Sequence, residues 1–456
     1  MTNYPKHYCG VFGAYKSLTV GDDIYLGLYA LQHRGQESAG IVSTDGEKFY
    51  SLKGMGLVSQ VFPKSSLGKL GGSNGVGHNR YSTTGESSVS NIQPLVITCK
   101  RGQIGLAHNG QLTNAERLRE ELQGEGAVFQ TTTDSEVMLH ILARSDAPLD
   151  EAILKMMDTV KGAYSLVILT PDELIAVRDP HGFRPLSIGK RGDTWFVSSE
   201  TCAFDTISAE FVRDVEAGEI VFIRSEEIRS VQKNTVKKKA FCIFEFVYFA
   251  RPDSKLEGSL VYDARVRMGK ELAHEHPIEG DVVVPILDGG MYAALGLAEE
   301  RKIPLNTAYI RNHYVGRSFL EPNQNGRDTT ARLKLSLIPD LVKEKRVILV
   351  DDSVVRGTTI ENRVKEIRKA GAKEVHLLVS CPPHRFGCHY GIDFPDPAKL
   401  IATTRTNEEI RVHLGLDYLG YLSEAGLVKA VGQAGVCLAC FNGQYPVVPE
   451  HLPKVS

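Results

Sequence analysis

Residues 347–359 read VILVDDSVVRGTT, an apolar run followed by two adjacent carboxylates and a turn of small residues. An apolar run of this kind predicts a strand that is buried on both faces, as in a parallel sheet. The following TTIENRVKEIRKAG (358–371) places Ile360, Val364 and Ile367 on one helix face, and Gly371 is a plausible end of that helix. Apolar runs on either side, DVVVPI (281–286) and EVHLLVS (374–380), predict further strands. Together they predict a right-handed βαβ unit and hence a doubly wound α/β sheet.

The two carboxylates, Asp351 and Asp352, come at the carboxyl end of the predicted strand, where open α/β sheets bind ligands. The helix then begins in a turn of four residues: Arg356, Gly357, Thr358 and Thr359. Free backbone N–H groups, hydroxyls and the helix dipole at such a turn hold a phosphate. The pattern favours a sugar phosphate, with the carboxylates on ribose hydroxyls and the turn on the 5′-phosphate. The alternative is that Asp352 and Ser353 only cap the turn.

The whole chain has 456 residues, more than one hydrophobic core usually serves, which predicts two or three domains. Its apolar share of 42% and charged share of 24% are typical of an ordinary globular protein. A formal net charge of -2 gives no attraction to nucleic acid or to a membrane surface, so neither partner is predicted. No apolar run is long enough to span a bilayer, and the first residues lack the apolar core of a secretory signal. We therefore expect a cytoplasmic location.

The sequence before the βαβ region has a different pattern of apolar segments. Short apolar segments such as SLVIL (165–169) and EIVFI (219–223) alternate with turns, and TTDSEVMLHILARS (132–145) predicts one of a few helices. We expect a layered sheet domain there. The charged stretch RSEEIRSVQKNTVKKKAF (224–241) is interpreted as a connector or edge strand at the domain boundary, in preference to a basic binding patch.

The eight cysteines are too few and too scattered for a disulfide framework in a chain of this length, so catalysis or metal binding is considered first. Cys9 lies near the start of the chain, directly before a glycine and an apolar pair. The one tight spacing is CLAC (437–440). A lone C-x-x-C is compatible with a redox pair, half of a zinc site or half of an iron–sulfur site.

These patterns resemble those of two protein families, each in a different part of the chain. The stretch at 347–359 closely resembles the 5-phosphoribosyl-1-pyrophosphate (PRPP) motif of type I phosphoribosyltransferases. Together with Cys9, four polar clusters resemble, in order, the glutaminase domain of N-terminal-nucleophile amidotransferases: LQHRGQESAGI (31–41), GHNRYSTTG (77–85), AHNGQLTN (107–114) and TTDSE (132–136). Taken singly, each cluster is compatible with ordinary turns and caps. Joined, the two halves resemble the glutamine PRPP amidotransferases over nearly the whole chain.

The resemblance implies a fold for each half. Residues 9–237 would form an α+β N-terminal-nucleophile glutaminase domain with αββα layers, preceded by a propeptide of residues 1–8. Residues 238–456 would form an α/β doubly wound type I phosphoribosyltransferase domain with a C-terminal cluster-binding tail. In the second domain, Asp351 and Asp352 would bind the ribose hydroxyls and one Mg²⁺ per subunit, and the turn at 356–359 would bind the 5′-phosphate.

The same resemblance implies the roles of the glutaminase residues. Cys9 would be the nucleophile, and once the leader is removed its own α-amine, which titrates near neutrality, could accept the thiol proton. Arg80 would bind the α-carboxylate of glutamine and Asp134 its α-ammonium, while the Asn109 side chain and the Gly110 N–H would form the oxyanion hole. Two further residues, Arg34 and Tyr81, are assigned to closing or coupling the site. RDPHGFRPL (178–186) is interpreted as structural.

Four other cysteines resemble the ligands of a [4Fe–4S] cluster in one branch of the family: Cys242, Cys388, Cys437 and Cys440. Four thiolates suit such a cluster, although the same set could hold Zn²⁺ or remain metal-free buried thiols. The cluster would be structural and would tie the C-terminal tail to the sheet. The remaining Cys99, Cys202 and Cys381 are interpreted as packing residues.

The sequence departs from the family pattern at the pyrophosphate loop. The family has Val-Pro-Asp-Ser there, whereas this chain reads PILDGG (285–290), which keeps Asp288 but has Gly289 in place of the serine. A metal contact at 289 is therefore not expected, although glycine still allows the backbone to approach pyrophosphate closely. The segments 311–319 and 332–335 resemble the loop that closes over PRPP. Candidate pyrophosphate ligands there are Lys334 and Arg317, with Arg311 and His313 replacing the usual Lys and Arg; the alternative is an exposed, solvated loop.

The resemblance implies an enzyme that makes 5-phosphoribosylamine from PRPP and glutamine, the first committed step of purine synthesis. It also implies a homotetramer inhibited by purine nucleotides. One rival prediction is a PRPP-sensing regulatory protein with little or no turnover, suggested by the altered PILDGG loop. Another is a different glutamine amidotransferase, such as a glucosamine-phosphate synthase or asparagine synthetase, and the PRPP motif speaks against both.

Overall fold

The chain folds into two layered domains in a computed structural model that describes residues 9–81, 88–225, 227–233, 238–312, 335–392, 394 and 397–450. The first domain contains thirteen described strands: β1 Gly10–Tyr15, β2 Ser38–Thr44, β3 Phe49–Met55, β4 Asn74–Arg80, β5 Leu95–Cys99, β6 Gly102–Leu112, β7 Gly162–Leu169, β8 Leu174–Arg178, β9 Ser187–Arg191, β10 Thr194–Ser198, β11 Glu210–Asp214, β12 Glu219–Arg224 and β13 Glu227–Gln232. Its described helices are α1 Val20–Ala30, α2 Val58–Val61, α3 Lys64–Leu67, α4 Ala115–Gly124, α5 Ser135–Arg144, α6 Leu149–Thr159 and α7 Cys202–Thr206, with a 3₁₀ turn at Val89–Asn91.

These strands form two antiparallel sheets. One has the order β11-β9-β10-β1-β4-β2-β3 and the other the order β13-β12-β8-β7-β6-β5. Side chains alternate between the two faces of each strand, so in β1 Val11 belongs to the core between the sheets and Phe12 to the core under α1. A third core packs α5 and α6 on the outer face of the second sheet. The order of layers is helix, sheet, sheet, helix, as the αββα prediction requires.

The second domain is built on a parallel sheet. Its described strands are β14 Phe241–Cys242, β15 Lys255–Leu256, β16 Ser259–Leu260, β17 Val282–Pro285, β18 Tyr309–Arg311, β19 Leu335–Leu337, β20 Arg346–Asp351, β21 Glu374–Val379, β22 Tyr418–Tyr421 and β23 Val436–Cys437. Its described helices are α8 Val261–Glu275, α9 Met291–Arg301, α10 Thr358–Lys369, α11 Ile401–Thr404, α12 Asn407–Leu414, α13 Glu424–Val431 and α14 Ala439–Asn442, with a π-helical turn at Glu245–Phe249 and 3₁₀ turns at Pro339–Leu341 and Pro397–Lys399.

The central sheet has the order β17-β20-β21-β22, and every neighbouring pair is parallel. The strand, helix and strand predicted around residues 347–380 are confirmed as β20, α10 and β21. The buried face of α10 carries Ile360, Val364 and Ile367, and the chain leaves this helix through Gly371, whose φ is +90°.

One segment connects the two domains along the chain. The charged stretch at 224–241 includes β13, the edge strand of the six-stranded sheet, in agreement with one of the two predicted forms. After it, β14 pairs with β23, which brings the start of the second domain beside its C-terminal tail. None of the described helices has the length and apolar character needed to cross a bilayer.

Candidate active sites

The first site is a pocket at the edge where the two sheets of the first domain meet. Cys9 lies directly before β1, Arg80 is the last residue of β4, and Asp134 lies directly before α5. β1 and β4 are paired, so the fold brings Cys9 and Arg80 together although 70 residues separate them. The pocket is lined by Cys9, Arg80, Tyr81, Gln93, His108, Gly110, Thr133 and Asp134.

Burial disfavours the thiolate form of Cys9 at this site. Burial raises its pKa above the ordinary value, and this outweighs the opposite effects of the Tyr81 backbone and Arg80. The Sγ atom lies 3.8 Å from the carbonyl oxygen of Tyr81. Because the thiolate is the reactive form, a nucleophilic Cys9 needs a base that takes its proton.

The pocket holds one cation and one anion beside the thiol. Burial by itself would raise the pKa of Asp134, but His108 and hydrogen bonds from the backbone outweigh it and hold that pKa below its usual range. One of these bonds comes from the Leu112 N–H, 2.8 Å from Asp134 Oδ2. Arg80, whose NH1 lies 3.6 Å from Glu37 Oε1, is the neighbouring cation. An ionised carboxylate and a guanidinium in one pocket suit the two charged groups of an α-amino acid.

Backbone geometry next to the thiol requires a glycine. Gly110 has φ +149°, and a Cβ there would lie 2.1 Å from the carbonyl oxygen of Ala163 on the paired strand β7. Asn109 beside it is 1% exposed, and its Nδ2 donates to no acceptor among the described residues. A buried amide donor without an acceptor is costly unless a ligand completes it. This pair therefore has the chemistry that an oxyanion hole needs.

The second site lies at the carboxyl end of β20. Asp351 and Asp352 are both 2% exposed, and the Ser353 hydroxyl donates to Asp352 Oδ1 at 2.6 Å. Burial and the neighbouring Asp352 raise the pKa of Asp351, and burial also raises the pKa of Asp352. Two buried carboxylates that repel each other provide the oxygen ligands and negative charge that a Mg²⁺ ion neutralises.

The turn after these carboxylates opens α10. Gly357 has φ +80°, and a Cβ there would lie 2.7 Å from Ile401 Cδ1, so a side chain is excluded both by the backbone and by packing. Thr358 and Thr359 are the first residues of the helix, whose first-turn N–H groups have no intrahelical acceptor. Arg356 precedes them and is half-buried. This is the arrangement that binds a phosphate at a helix N-terminus.

The loop between β17 and α9 lies beside that turn because β17 and β20 are neighbours in the sheet. It contains Asp288, which pairs with Arg311 of β18, and Gly289, which touches Asp352. Of the predicted loop residues, His313, Arg317 and Lys334 lie outside the described residues.

The comparisons with known proteins agree with this division. Residues 78–206 match a glutamine amidotransferase domain, and residues 264–389 match a phosphoribosyl transferase domain. An amidophosphoribosyltransferase of Methanocaldococcus jannaschii is 49% identical over 96% of this chain and 97% of its own length. The chain belongs to the amidophosphoribosyltransferase family.

Other relatives support the same assignment. The amidophosphoribosyltransferase of Bacillus subtilis is 45% identical over 96% of this chain and 94% of its own length. The structure of glutamine PRPP amidotransferase from that organism, complexed with ADP and GMP, is 44% identical over 97% of this chain and 98% of its own, with a TM-score of 0.92. The predicted fold class and family are thereby confirmed.

In this amidophosphoribosyltransferase fold, a buried ionic cluster joins the two domains beside the thiol. Arg34 Nε donates to the carbonyl oxygen of Cys9 at 3.2 Å, and its NH1 and NH2 donate to Glu245 at 3.0 and 2.8 Å. NH1 also pairs with Glu200 of the first domain. Burial alone would lower the pKa of Arg34, but Glu245 and Glu200 outweigh it, so the guanidinium stays charged. Within the predicted RDPHGFRPL segment, Arg184 reaches the same Glu245 at 3.6 Å.

The four cysteines predicted as cluster ligands lie in one region. Cys242 and Cys437 are register partners in the β14–β23 pair, and burial raises the pKa of Cys440 and Cys437, with the nearby thiols adding to the shift. Burial also raises the pKa of Cys388, and the nearby Cys242 thiol adds to that shift. In the described residues, no group of three or more His, Cys, Asp or Glu is arranged to hold a single metal ion.

Several residues at the sites were not predicted from the sequence. Gln93 and His108 line the thiol pocket, and the Gln93 side chain accepts from the His108 N–H at 2.8 Å. Glu200 and Glu245 complete the interdomain cluster. The position of His108 next to Asn109 was the one available signal for the pocket, while Glu245 in CIFEF was visible only as a carboxylate in an apolar run.

Proposed function

We propose that this chain forms 5-phosphoribosylamine from PRPP, using ammonia released from glutamine, as the first committed step of purine synthesis. The observation that carries the proposal is full-length similarity to amidophosphoribosyltransferases, with a thiol pocket in one domain and a carboxylate–turn site in the other. The relatives that are named amidophosphoribosyltransferase give no support to the rival prediction of a PRPP sensor.

In the first domain, Cys9 attacks the side-chain amide of glutamine. Removal of residues 1–8 frees the α-amine of Cys9, which accepts the thiol proton and later delivers a proton to the departing ammonia. Arg80 binds the α-carboxylate of the substrate and Asp134 its α-ammonium. The Asn109 amide and the Gly110 N–H stabilise the oxyanion of the tetrahedral intermediate, and water then hydrolyses the thioester to glutamate.

In the second domain, ammonia displaces pyrophosphate from C1 of PRPP, so that a C–N bond forms as the C–O bond breaks. The turn of Arg356, Gly357, Thr358 and Thr359 holds the 5′-phosphate, and Asp351 with Asp352 holds the ribose hydroxyls. Asp288 is proposed to contact the pyrophosphate, and Lys334, which lies outside the described residues, is proposed as a further pyrophosphate ligand. Asp351 and Asp352 would hold one Mg²⁺ per subunit, which would neutralise charge on the leaving pyrophosphate.

The proposal includes the remaining predictions. The glutaminase domain spans 9–237 and the phosphoribosyltransferase domain 238–456. Cys242, Cys388, Cys437 and Cys440 hold a structural [4Fe–4S] cluster. The enzyme is a cytoplasmic homotetramer inhibited by purine nucleotides; the structure of the Bacillus subtilis relative is itself a complex with ADP and GMP.

The test distinguishes the activities of the two domains by supplying nitrogen either as glutamine or as an ammonium salt. A Cys9→Ala variant should lose glutamine-dependent pyrophosphate release by on the order of 10³-fold or more, because the nucleophile is gone, yet keep the release supported by an ammonium salt. Cys99→Ala, which changes a thiol outside the pocket, is the control and should keep both activities. N-terminal sequencing of the active enzyme should begin at Cys9. Glutamine-dependent activity in the Cys9→Ala variant would contradict the proposal.

A further inference from the structure

Two loops meet at the carboxyl end of the parallel sheet. The loop after β17 contains Gly289 and Gly290, and the loop after β20 contains Asp352. Both loops are held in place by backbone hydrogen bonds: Ile286 donates to the carbonyl of Val350 at 2.9 Å, and Gly290 to that of Ile286 at 3.0 Å. The two loops therefore have little freedom to move apart.

The contact between them is made by the Asp352 carboxylate. A Cβ built on Gly289 would lie 1.5 Å from Asp352 Oδ2 and 2.7 Å from its Cγ. No side chain fits at 289 while the carboxylate is where it is, because non-bonded heavy atoms do not approach that closely. The carboxylate thus fills the volume that the first side-chain atom of any other residue would occupy.

The orientation of that carboxylate is held from its other oxygen. Asp352 Oδ1 accepts from the Ser353 hydroxyl at 2.6 Å, which leaves Oδ2 directed at the Gly289 loop. The positive charge of buried Arg265 also acts on Asp352. Asp352 is only 2% exposed, so it has few alternative positions.

We propose that Gly289 is a positioning residue, whose lack of a side chain lets Asp352 reach from the PRPP motif to the pyrophosphate loop. Asp352 then presents an oxygen at the place where a residue with a hydroxyl would otherwise have presented one at position 289. Glycine at position 289 therefore does not remove a ligand oxygen from the site, because Asp352 supplies an oxygen in its place. This inference rests on the proposed function, since it assumes that Mg²⁺·PRPP binds here.

The experiment measures binding of PRPP by isothermal titration calorimetry at several Mg²⁺ concentrations, without glutamine or ammonia so that no turnover occurs. The full-length wild type is compared with Gly289→Ala and Gly289→Ser. Both variants should bind PRPP at least tenfold more weakly and require more Mg²⁺, because the new Cβ displaces the carboxylate. Serine at 289 should give no rescue relative to alanine.

A double-variant cycle tests whether the effect passes through Asp352. The three atoms nearest to the added Cβ all belong to the Asp352 side chain, so Asp352→Ala removes the clash. Because Asp352 is itself proposed to hold the ribose hydroxyls, Asp352→Ala alone also weakens PRPP binding, and in that background Gly289→Ala should change the remaining affinity less than twofold. If Gly289→Ala alone does not fold, recovery of the folded state in the double variant supports the same contact. Gly68→Ala, where an added Cβ meets nothing within 4 Å, is the matched control.

The possible outcomes distinguish a failure of this inference from a failure of the proposed function. If Gly289→Ser binds Mg²⁺·PRPP as tightly as the wild type or more tightly, glycine at this position is only a lost hydroxyl and the inference is overturned. The same holds if Gly289→Ala weakens binding equally with and without Asp352. If the wild type itself does not bind Mg²⁺·PRPP, the proposed function fails and the inference fails with it.

Discussion

At the scale of single residues, His384 shows how burial selects a charge state. Its ring is 1% exposed and lies among Phe244, Phe394 and Phe441, with ring centroids 5.0, 4.8 and 4.8 Å away. Neither ring nitrogen has a hydrogen-bond partner in the described part of the chain, and burial lowers its pKa to about 3. The folded protein therefore holds this histidine neutral, while the unfolded chain takes up a proton below about pH 6.5.

This difference predicts an acid-dependent loss of stability. The depressed pKa means that the folded state is fully favoured above pH 6.5 and loses stability as the pH falls toward 3. His384→Phe keeps an aromatic ring there without the titration, so its stability should fall by about 2 kcal/mol less than that of the wild type between about pH 7.5 and about pH 5. Denaturant midpoints at the two pH values measure this. The exposed His413 is the control, since His413→Gln should follow the wild type; equal slopes for His384→Phe would refute the prediction.

At the scale of elements, the β14–β23 strand pair is too short to be stable by itself. Each strand has two residues, and the register pairs Phe241 with Val436 and Cys242 with Cys437. The Cys440 carbonyl accepts from the backbone N–H groups of Arg385 and Phe386, both at 3.1 Å. Phe241 also donates to the carbonyl of Gly435 at 2.9 Å, and a cluster bound to thiols from these segments would add to this attachment of the tail.

Removing one proposed ligand should therefore release the tail. Cys242→Ser is expected to reduce bound iron from about four atoms per chain to less than one and to make the segment after Val431 sensitive to protease. Iron and sulfide analysis of anaerobically purified protein measures the first effect, and limited proteolysis the second. Cys99→Ser removes a thiol from the first domain and should retain all the iron. A Cys242→Ser protein with a full iron content would exclude Cys242 as a ligand.

At the scale of the whole molecule, the two domains share a buried ionic cluster. Arg34 and Glu200 come from the first domain and Glu245 from the second, and the side chains of all three are fully buried. Glu200 also accepts from the Arg251 N–H and the Ser254 hydroxyl of the second domain, at 2.9 and 2.7 Å. Because Arg34 also donates to the carbonyl of Cys9, residues of both domains position this proposed nucleophile.

Breaking this cluster should be costly. Arg34→Gln removes the cation that two buried carboxylates share and leaves Glu245 with Arg184 at 3.6 Å and Glu200 with His33 at 2.7 Å. We expect a loss of about 3–5 kcal/mol of stability together with reduced glutamine hydrolysis. Thermal unfolding and glutaminase assays measure the two effects. Lys365→Gln breaks an exposed helix pair with Glu361 and should cost about 0.5 kcal/mol or less. If Arg34→Gln proved no more destabilising than Lys365→Gln, the cluster would not hold the domains together.

The sequence by itself determined the elements whose signal is local. The apolar run 347–350, the helical spacing of Ile360, Val364 and Ile367, and the strand at 374–379 appear where they were predicted, because period and burial are encoded in neighbouring residues. The proposed ligands of both sites were likewise visible as short motifs. The resemblance to a known family supplied the αββα layers, which periodicity alone had left as a layered sheet domain.

Only the tertiary structure decided which distant groups meet. Glu245 lies 211 residues from Arg34, and no local pattern connects them. Gly289 suggested a missing ligand in the sequence, whereas in the fold its Cα faces the carboxylate of Asp352. The physical reason is the same in both cases: contacts between elements depend on the packing of whole sheets, and a residue's partners across that packing are not encoded in its neighbours along the chain.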